Sequence, residues 1–262
     1  MPAFREKKEP KMSQIPDLTD RRYLDEIGWF LYHEKYGRDQ FGGSYDAERA
    51  AYSKLLLKEI LTCLERDATW LADKVVVSIG CGCTGDLSAF PAAVKVAIDP
   101  LLYVYQKLGL LIAEEEGSRT VYLSLGAENL PLLDDCADLV ICRNALDHMP
   151  NPAVALKEIW RLLKPNGALF VSVDIGGAPT PDEPTVLSVE SLRELLREDF
   201  VTTHLTDGHR PHSEGRHFSV RVVAAKKPQV REQLDKKQLL HDYEVRIAGS
   251  ESKTDLQNCA SD

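Results

Sequence analysis

The sequence has no apolar run approaching the roughly 20 residues that a bilayer-spanning helix needs. Its first residues, MPAFREKKEPKM, are charged and lack the apolar core of a signal peptide. Basic residues are fewer than acidic ones: the chain has 32 Lys and Arg and 41 Asp and Glu, which gives a net charge of −9. We therefore expect a cytoplasmic protein with no membrane partner. A nucleic acid partner is not expected either, because an acidic surface repels phosphates.

The sequence also lacks the two closely spaced cysteine pairs that structural zinc sites use. The chain has six cysteines, and the two closest, Cys81 and Cys83, have one residue between them and no matching second pair. Structural zinc sites use two such pairs with longer internal spacing, so we predict no metal. In a cytoplasmic protein the cysteines are expected to be reduced thiols with packing roles.

A glycine-rich turn between two apolar runs is the most informative feature of the chain. Residues 75–99 read VVVSIGCGCTGDLSAFPAAVKVAID, and Gly80, Gly82 and Gly85 give the pattern G-x-G-x-x-G. Glycine lets the backbone turn tightly and approach a ligand without a Cβ in the way. Asp99 follows the second apolar run, where a carboxylate can accept both hydroxyls of a ribose. The segment predicts a ribose-bearing cofactor, either a dinucleotide or S-adenosylmethionine (SAM); the alternative is a turn that only connects strand and helix.

The core of the sequence alternates strand-like and helix-like segments. Such alternation indicates a parallel sheet covered by helices on both faces. The predicted strands are 75–80, 94–98, 120–124, 139–143 and 168–174, and the predicted helices are 86–92, 101–116 and 153–163. A further helix is expected after Ser188, which can cap it, and strand-like segments follow at 200–206 and 218–225.

The stretch from Gly126 to Asp174 carries a second set of motifs. It contains an Ala-Glu-x-Leu-Pro segment at 127–131, a Leu-x-His turn at 146–148 and an Arg-x-Leu-Lys-Pro-x-Gly turn at 161–167. In this order, after the glycine turn, they resemble the central part of class I SAM-dependent methyltransferases of the small-molecule type. The resemblance covers about 75–174. Nicotinamide-dependent enzymes do not usually show its second half.

The resemblance implies a fold, a cofactor and a set of contacts. The fold is a Rossmann-like α/β three-layer sandwich with a mostly parallel seven-stranded sheet, a C-terminal antiparallel hairpin and an N-terminal helical lid. The cofactor is SAM. Its predicted binding residues are Gly80, Cys81, Gly82, Gly85, Asp99, Pro100, Ala127, Glu128, Arg143 and Asn144.

Two positions depart from the family pattern. Ser78 stands where the family often has an acid two residues before the first glycine, and Gly126 stands where an acid often meets the adenine amino group. Adenine recognition is then expected to depend on backbone groups near Ala127 and on Glu128.

The chain divides into four expected regions. Residues 1–18 are charged and proline-containing and are predicted to be disordered. Residues 19–72 form a helical addition, interrupted at 37–44, and 73–226 form the SAM-binding domain. Residues 227–262 are a polar tail with a possible short helix at 229–245.

The acceptor is expected at the carboxyl edge of the sheet, under the N-terminal helices. The stretch 33–45 combines glycines with aromatics and is a lid candidate, with His33, Tyr36 and Tyr45 facing the substrate. An ordinary helix–helix connection is the alternative. The loop 207–217 holds three histidines and two arginines, and we predict substrate contacts from His209, Arg210 and His212. A solvated hairpin tip explains the same residues.

The catalytic residues are not fixed by the sequence, and the candidates are His148, Asp147, Tyr36 and His209. An imidazole titrates near neutral pH and could act as a base, whereas the resemblance suggests that His148 shapes the cofactor pocket. The leading hypothesis is methyl transfer from SAM to a small-molecule acceptor by in-line displacement. A SAM-using or SAM-binding protein without methyl transfer is the second hypothesis, and an NAD-dependent oxidoreductase is the third.

Overall fold

The computed structural model describes residues 16–41, 45–83, 87–111, 120–211 and 217–226. For residues 33, 36–41, 45–50, 206–211 and 217–220 only the backbone is described. The predicted terminal disorder at 1–18 therefore lies largely outside the described residues, and the predicted tail at 227–262 lies entirely outside them.

Seven strands form one sheet in the order β3-β2-β1-β4-β5-β7-β6. The strands are β1 (Val75–Ile79), β2 (Val94–Ile98), β3 (Thr120–Leu123), β4 (Ala137–Arg143), β5 (Leu163–Asp174), β6 (Phe200–Pro211) and β7 (His217–Lys226). The pairs β1–β2, β1–β4, β2–β3 and β4–β5 are parallel. β7 pairs antiparallel with both β5 and β6. The predicted α/β fold with its C-terminal hairpin is confirmed.

Helices cover both faces of this sheet. They are α1 (Arg21–Phe41), α2 (Tyr45–Leu64), α3 (Leu102–Lys107), α4 (Pro152–Leu162) and α5 (Val189–Arg197), with a short 3₁₀ helix at Ala68–Leu71. Alternate residues of the central strands enter two different cores, because side chains along a strand point to opposite faces. Val140 and Val171 pack with α4 and α5, whereas Ile141 and Phe170 pack with α2 and the 3₁₀ helix. This arrangement is a three-layer sandwich.

One predicted helix and three predicted boundaries were wrong. Residues 87–89 form turns instead of the expected helix at 86–92. α3 ends at Lys107, well before the predicted residue 116, although 112–119 lie outside the described residues. β5 begins at Leu163, five residues before the predicted start at 168. α1 continues to Phe41, so the backbone passes in helical form through Gly37, where the interruption was expected.

The cysteines for which side chains are described are free thiols, namely Cys63, Cys81, Cys83, Cys136 and Cys142. Cys142 lies fully buried in β4, and burial raises the pKa of its thiol to about 12. Such a thiol stays protonated and packs as a small apolar side chain. In the part of the chain that the structure describes, no helix is long and apolar enough to cross a membrane.

Candidate functional site

The glycine turn after β1 folds back onto the end of β2. The amides of Gly80 and Cys81 both donate to the carbonyl of Ile98, at 2.8 and 3.1 Å. Gly80 and Gly82 have φ values of +67° and +58°, which favour glycine. A Cβ on Gly80 would also stand 2.3 Å from the Cβ of Ala145. Gly85 lies outside the described residues.

Asp99 is buried directly below this turn. One carboxylate oxygen accepts from the Gly82 amide at 2.9 Å, and the other accepts from the Leu101 amide at 2.8 Å. Burial raises the pKa of the Asp99 carboxyl, and the two amide hydrogen bonds oppose that rise. A carboxylate oxygen has more than one acceptor position, so Asp99 can hold the turn and still accept from a ligand hydroxyl.

A cavity of about 360 Å³ opens between this edge of the sheet and helices α1 and α2. Its volume is within the range of small-molecule and cofactor sites. Nine of the ten predicted cofactor residues line it: Gly80, Cys81, Gly82, Asp99, Pro100, Ala127, Glu128, Arg143 and Asn144. The tenth, Gly85, is not described. The structure thus brings together residues from four separate strand ends.

The Glu128 side chain lies beside Gly126. A Cβ at this position would lie 2.5 Å from a carboxylate oxygen of Glu128, so the Glu128 side chain occupies the space beside it. Both residues line the cavity. Glu128 therefore places an acid next to the position where the family often carries one, and its role in adenine recognition stays a prediction.

Ser78 has a different position. It is buried in β1 and pairs with Ala97 of β2 and Ile141 of β4 across the sheet. It does not belong to the described cavity lining.

The wall opposite the sheet edge comes from the N-terminal helices. Arg22, Glu26, Trp29 and Phe30 of α1 recur at helical spacing and all line the cavity, as does Tyr52 of α2. None of these five residues was among the site residues predicted from the sequence. Their signal in the sequence is only a stripe at three- and four-residue intervals, which is also the pattern of a helix that packs on a core.

Aromatic rings close much of this wall. The Phe30 ring packs edge-on against Tyr105, with 5.2 Å between ring centroids, and lies beside Gly82. The guanidinium of Arg143 sits over the Tyr52 ring, 4.2 Å from its centroid. This cation–π contact joins the end of β4 to α2.

His148 faces α1 across the cavity. Its Nδ1 lies 3.7 Å from a carboxylate oxygen of Glu26, and both residues line the cavity. Burial raises the pKa of Glu26 to about 7, while the proximity of His148 opposes the rise. The pair places two groups capable of proton transfer in the wall of the cavity.

Asp147 is buried next to His148 and lies outside the cavity lining. Its carbonyl accepts from the Thr185 amide at 3.1 Å, and the Thr185 hydroxyl donates to the Met149 carbonyl at 2.7 Å. These bonds fix the loop between β5 and α5 over the site, and that loop contributes Asp182 and Glu183 to the cavity. The sequence reasoning did not identify these two acids.

One cluster in this region has metal-ligand residue types. Asp147, His148 and Glu183 bring one ligand atom each to within 4.8 Å of one another. Acidic groups gather in this way without an ion in many proteins, so the expectation of no metal stays a prediction.

The other predicted substrate residues are not placed. The side chains of His33, Tyr36, Tyr45, His209 and Arg210 belong to the part of the chain described by backbone alone, and His212 is not described. The lid at 33–45 and the contacts from 207–217 therefore stay predictions.

The fold and the cavity define a Rossmann-like domain with a cofactor site at the carboxyl edge of its sheet. Comparison with known proteins specifies the class further. Residues 77–171 match the family model described as a methyltransferase domain. This match, over 95 of the 262 residues, agrees with the resemblance to class I SAM-dependent methyltransferases that the sequence motifs carry, and SAM is the cofactor of that family.

Two curated relatives share part of this domain. The chain is 34% identical over 105 residues to the ubiquinone biosynthesis O-methyltransferase of Paraburkholderia phytofirmans, covering 39% of this chain and 45% of that protein. It is 29% identical over 119 residues to the protein of the same name from Histophilus somni, covering 43% and 50%. The chain thus spans about half the length of the curated relatives it matches.

A solved structure shows the same fold. It is the 1,6-didemethyltoxoflavin-N1-methyltransferase of Burkholderia thailandensis, determined with 1,6-didemethyltoxoflavin and S-adenosylhomocysteine bound. The TM-score is 0.51 at 19% identity, and the match covers 87% of this chain and 99% of that chain.

Proposed function

We propose that this protein is an enzyme that transfers a methyl group from SAM to a small-molecule acceptor. The observation that carries the proposal is that one segment of the chain both matches the methyltransferase family and forms the sheet side of the cavity. The segment that matches the methyltransferase family supplies the sheet edge, the glycine turn and most of the predicted cofactor residues of one cavity. The names of the curated relatives support an acceptor of small size.

The residues present fit the proposed cofactor. Asp99 lies at the end of β2, where its carboxylate can accept from ribose hydroxyls, and Glu128 lies with Ala127 on the expected adenine side. Bound SAM supplies an electrophilic methyl group on a positively charged sulfonium. The acidic groups that line the cavity, Glu26, Asp174, Asp182 and Glu183 among them, favour a positively charged ligand.

The protein's part in the reaction is alignment and the exclusion of water. Positive charge disappears during methyl transfer, so the main requirement is to hold acceptor, methyl carbon and sulfur in line in a dry site. Trp29, Phe30 and Tyr52 supply the apolar wall for this. If the acceptor must lose a proton, His148 is the proposed base, with Glu26 beside its Nδ1.

The described part of the loop between β1 and β2 favours SAM over a dinucleotide. Residues 80–83 and 87–93 contain no helix. A dinucleotide places its pyrophosphate on the N-terminal amides of a helix that follows the glycine turn. SAM has no phosphate and does not need that helix, so an NAD-dependent reaction is the weaker hypothesis.

Calorimetric titration with S-adenosylhomocysteine, SAM and NADH in parallel tests the cofactor. We expect micromolar binding of the two sulfur nucleosides and no binding of NADH. Methylated product from SAM and a panel of small acceptors then tests the transfer itself. Binding without any transfer would favour a SAM-binding protein, and binding of NADH alone would overturn the proposal.

Asp99 provides the test at residue level. Asp99→Ala is expected to weaken S-adenosylhomocysteine binding by about 1–3 kcal/mol, because it removes a charged acceptor from buried ribose hydroxyls. Asp99→Asn is the matched variant, since it keeps the side-chain shape and one acceptor oxygen, and it should lose less affinity. Unchanged affinity in Asp99→Ala, measured on a folded sample, would show that the ribose contact has been assigned to the wrong residue.

A further inference from the structure

The solvent-facing side of α1 is mostly apolar. Among the α1 residues whose side chains are described, the exposed charged ones are Arg21 and Lys35. The other exposed residues lie between these two and form what we call the exposed face of α1: Leu24, Gly28, Trp29, Leu31 and Tyr32. Their spacings of three, four and seven residues place them side by side along the helix.

The core does not explain this apolar surface. The opposite side of α1 already packs inside the molecule, through the buried residues Ile27 and Phe30. The four large side chains of the exposed face are 41–58% exposed, and a Cβ on Gly28 would meet nothing within 4 Å. Single exposed hydrophobic residues are common, whereas a contiguous apolar patch marks a surface that binds a partner or a membrane.

The charges near this face differ from those of the rest of the molecule. Residues 1–40 contain eight basic and eight acidic residues, so residues 41–262 carry the whole net charge of −9. Arg21 and Lys35 lie at the two ends of the exposed face, and Asp25 between them pairs with Arg21 at 3.3 Å. Because charges are screened within about 8 Å at physiological salt, a surface that contacts α1 meets mainly these local charges.

These charges favour an anionic surface over a second copy of the chain. If two copies of α1 paired antiparallel across Gly28, the Arg21 end of one helix would meet the Lys35 end of the other. Parallel pairing would bring identical ends together, so both arrangements place like charges side by side. An anionic lipid surface offers phosphates to both cations and an apolar layer to the leucines, and Trp and Tyr are enriched at such interfaces.

We propose that the exposed face of α1 binds the surface of an anionic membrane, with its apolar side chains in the interfacial layer and Arg21 and Lys35 at lipid phosphates. A helix that lies in this layer does not need the long apolar run of a spanning helix, whose absence led to the expectation of no membrane partner. Trp29 belongs both to this face and to the cavity wall, so the membrane would lie beside the cavity. The inference does not depend on the proposed function.

Co-sedimentation of the full chain with vesicles tests the proposal. The vesicles contain phosphatidylcholine alone or with about 30% phosphatidylglycerol, at about 150 mM salt. Wild type should bind the anionic vesicles more tightly than the neutral ones. Leu24→Gln/Leu31→Gln should bind the anionic vesicles at least about tenfold more weakly, because it removes apolar side chains while glutamine keeps a similar helix propensity. Arg21→Gln/Lys35→Gln should reduce the preference for anionic over neutral vesicles.

Leu108→Gln/Leu133→Gln is the matched control. These two leucines are 46% and 36% exposed and lie outside α1, so this variant should bind vesicles like wild type. The four leucines do not belong to the described cavity lining, so neither double variant should change the affinity for S-adenosylhomocysteine. Urea unfolding verifies that each variant is folded.

The outcomes separate this inference from the proposed function. Wild type that stays in the supernatant with both kinds of vesicle would overturn the inference, as would equal vesicle binding by wild type and Leu24→Gln/Leu31→Gln. A dimer in solution that this variant dissociates, without vesicle binding by wild type, would also overturn it and make the face a contact between copies. Failure of wild type to bind S-adenosylhomocysteine would overturn the proposed function alone.

Discussion

Glu26 is a partly buried acid in a mostly acidic site, with 27% of its side chain exposed. Burial raises its pKa from 4.5 to about 7; His148 opposes the rise, and Asp99, Asp182 and Asp147 add to it. The folded chain therefore keeps a proton that the unfolded chain releases as the pH rises from about 4.5 to 7. Its contribution to stability is fully present below pH 4.5 and is lost as the pH rises through about 7.

Glu26→Gln should remove this pH dependence. Between pH 5 and pH 8, wild type should lose on the order of 2 kcal/mol more unfolding free energy than the variant does. Urea unfolding at both pH values measures the difference. Asp25→Asn, at an exposed ion pair with Arg21 on the same helix, should behave like wild type. Parallel stability curves for wild type and Glu26→Gln would contradict the assignment.

Among individual residues, the sequence motifs identified the glycines and acids at the strand ends that line the cavity. They did not identify the cavity residues that lie on helices. Asp99 and Glu128 follow recognisable motifs, and they line the cavity as expected. Glu26 and Phe30 belong to no motif. Their positions depend on which face of a helix meets the sheet edge, and helical spacing alone does not distinguish a cavity wall from a core face.

Arg161 joins α4 to the loop that follows Ala127 and Glu128. Its guanidinium donates to the carbonyls of Leu130 and Leu132, at 3.1 and 2.8 Å, and to the Asp134 carboxylate at 2.6 Å. It also donates to Glu158, whose carboxylate accepts from the Leu130 amide at 2.7 Å. The Arg-x-Leu-Lys-Pro-x-Gly turn and the Ala-Glu-x-Leu-Pro segment are thus one hydrogen-bonded unit.

Arg161→Met should destabilise the protein by about 2–3 kcal/mol, because it leaves two carbonyls and a largely buried Glu158 without their charged donor. Urea unfolding checks the value. Arg197→Met is the matched control, since Arg197 forms an exposed pair with Glu194 and should cost less than about 1 kcal/mol. Equal losses in the two variants would show that the Arg161 network adds little.

A capping interaction at the start of α5 should stabilise that helix. The Ser188 hydroxyl accepts from the Ser191 amide at 3.1 Å, and the Ser191 hydroxyl accepts from the Ser188 amide at 2.8 Å. Ser188→Ala should lower stability by about 1 kcal/mol, whereas Ser188→Asp should retain the cap. Thermal unfolding distinguishes the two. A loss with Asp as large as the loss with Ala would exclude capping as the cause.

Apolar spacing predicted the helices of the N-terminal addition better than their buried faces. Leu31 and Leu55 have helix spacing with buried residues, yet Leu55 is 65% exposed and Leu31 is also exposed. The turn at 87–89 replaces a predicted helix, although Leu87 and Phe90 are buried against α2. An apolar pattern alone therefore specifies neither which apolar residues are buried nor whether a short apolar stretch is helical.

The net negative charge of the whole molecule should prevent binding to nucleic acid. With a net charge of −9, the protein should not bind a 20-base-pair DNA duplex at 150 mM salt and micromolar protein concentration. Fluorescence anisotropy measures this directly. Saturable binding that weakens as salt rises would show that a local basic surface overrides the net charge.

The sequence by itself predicted the parallel sheet and the glycine turn at its edge, and the resemblance to a known family implied the C-terminal hairpin. Alternating apolar strands and helices indicate a parallel sheet, and the glycines at Gly80 and Gly82, which have positive φ, form a local motif. Only the tertiary structure decided that Glu26, Phe30 and Tyr105 share a cavity with Asp99. These contacts join residues up to about 75 positions apart, and their geometry depends on helix packing that no local pattern records.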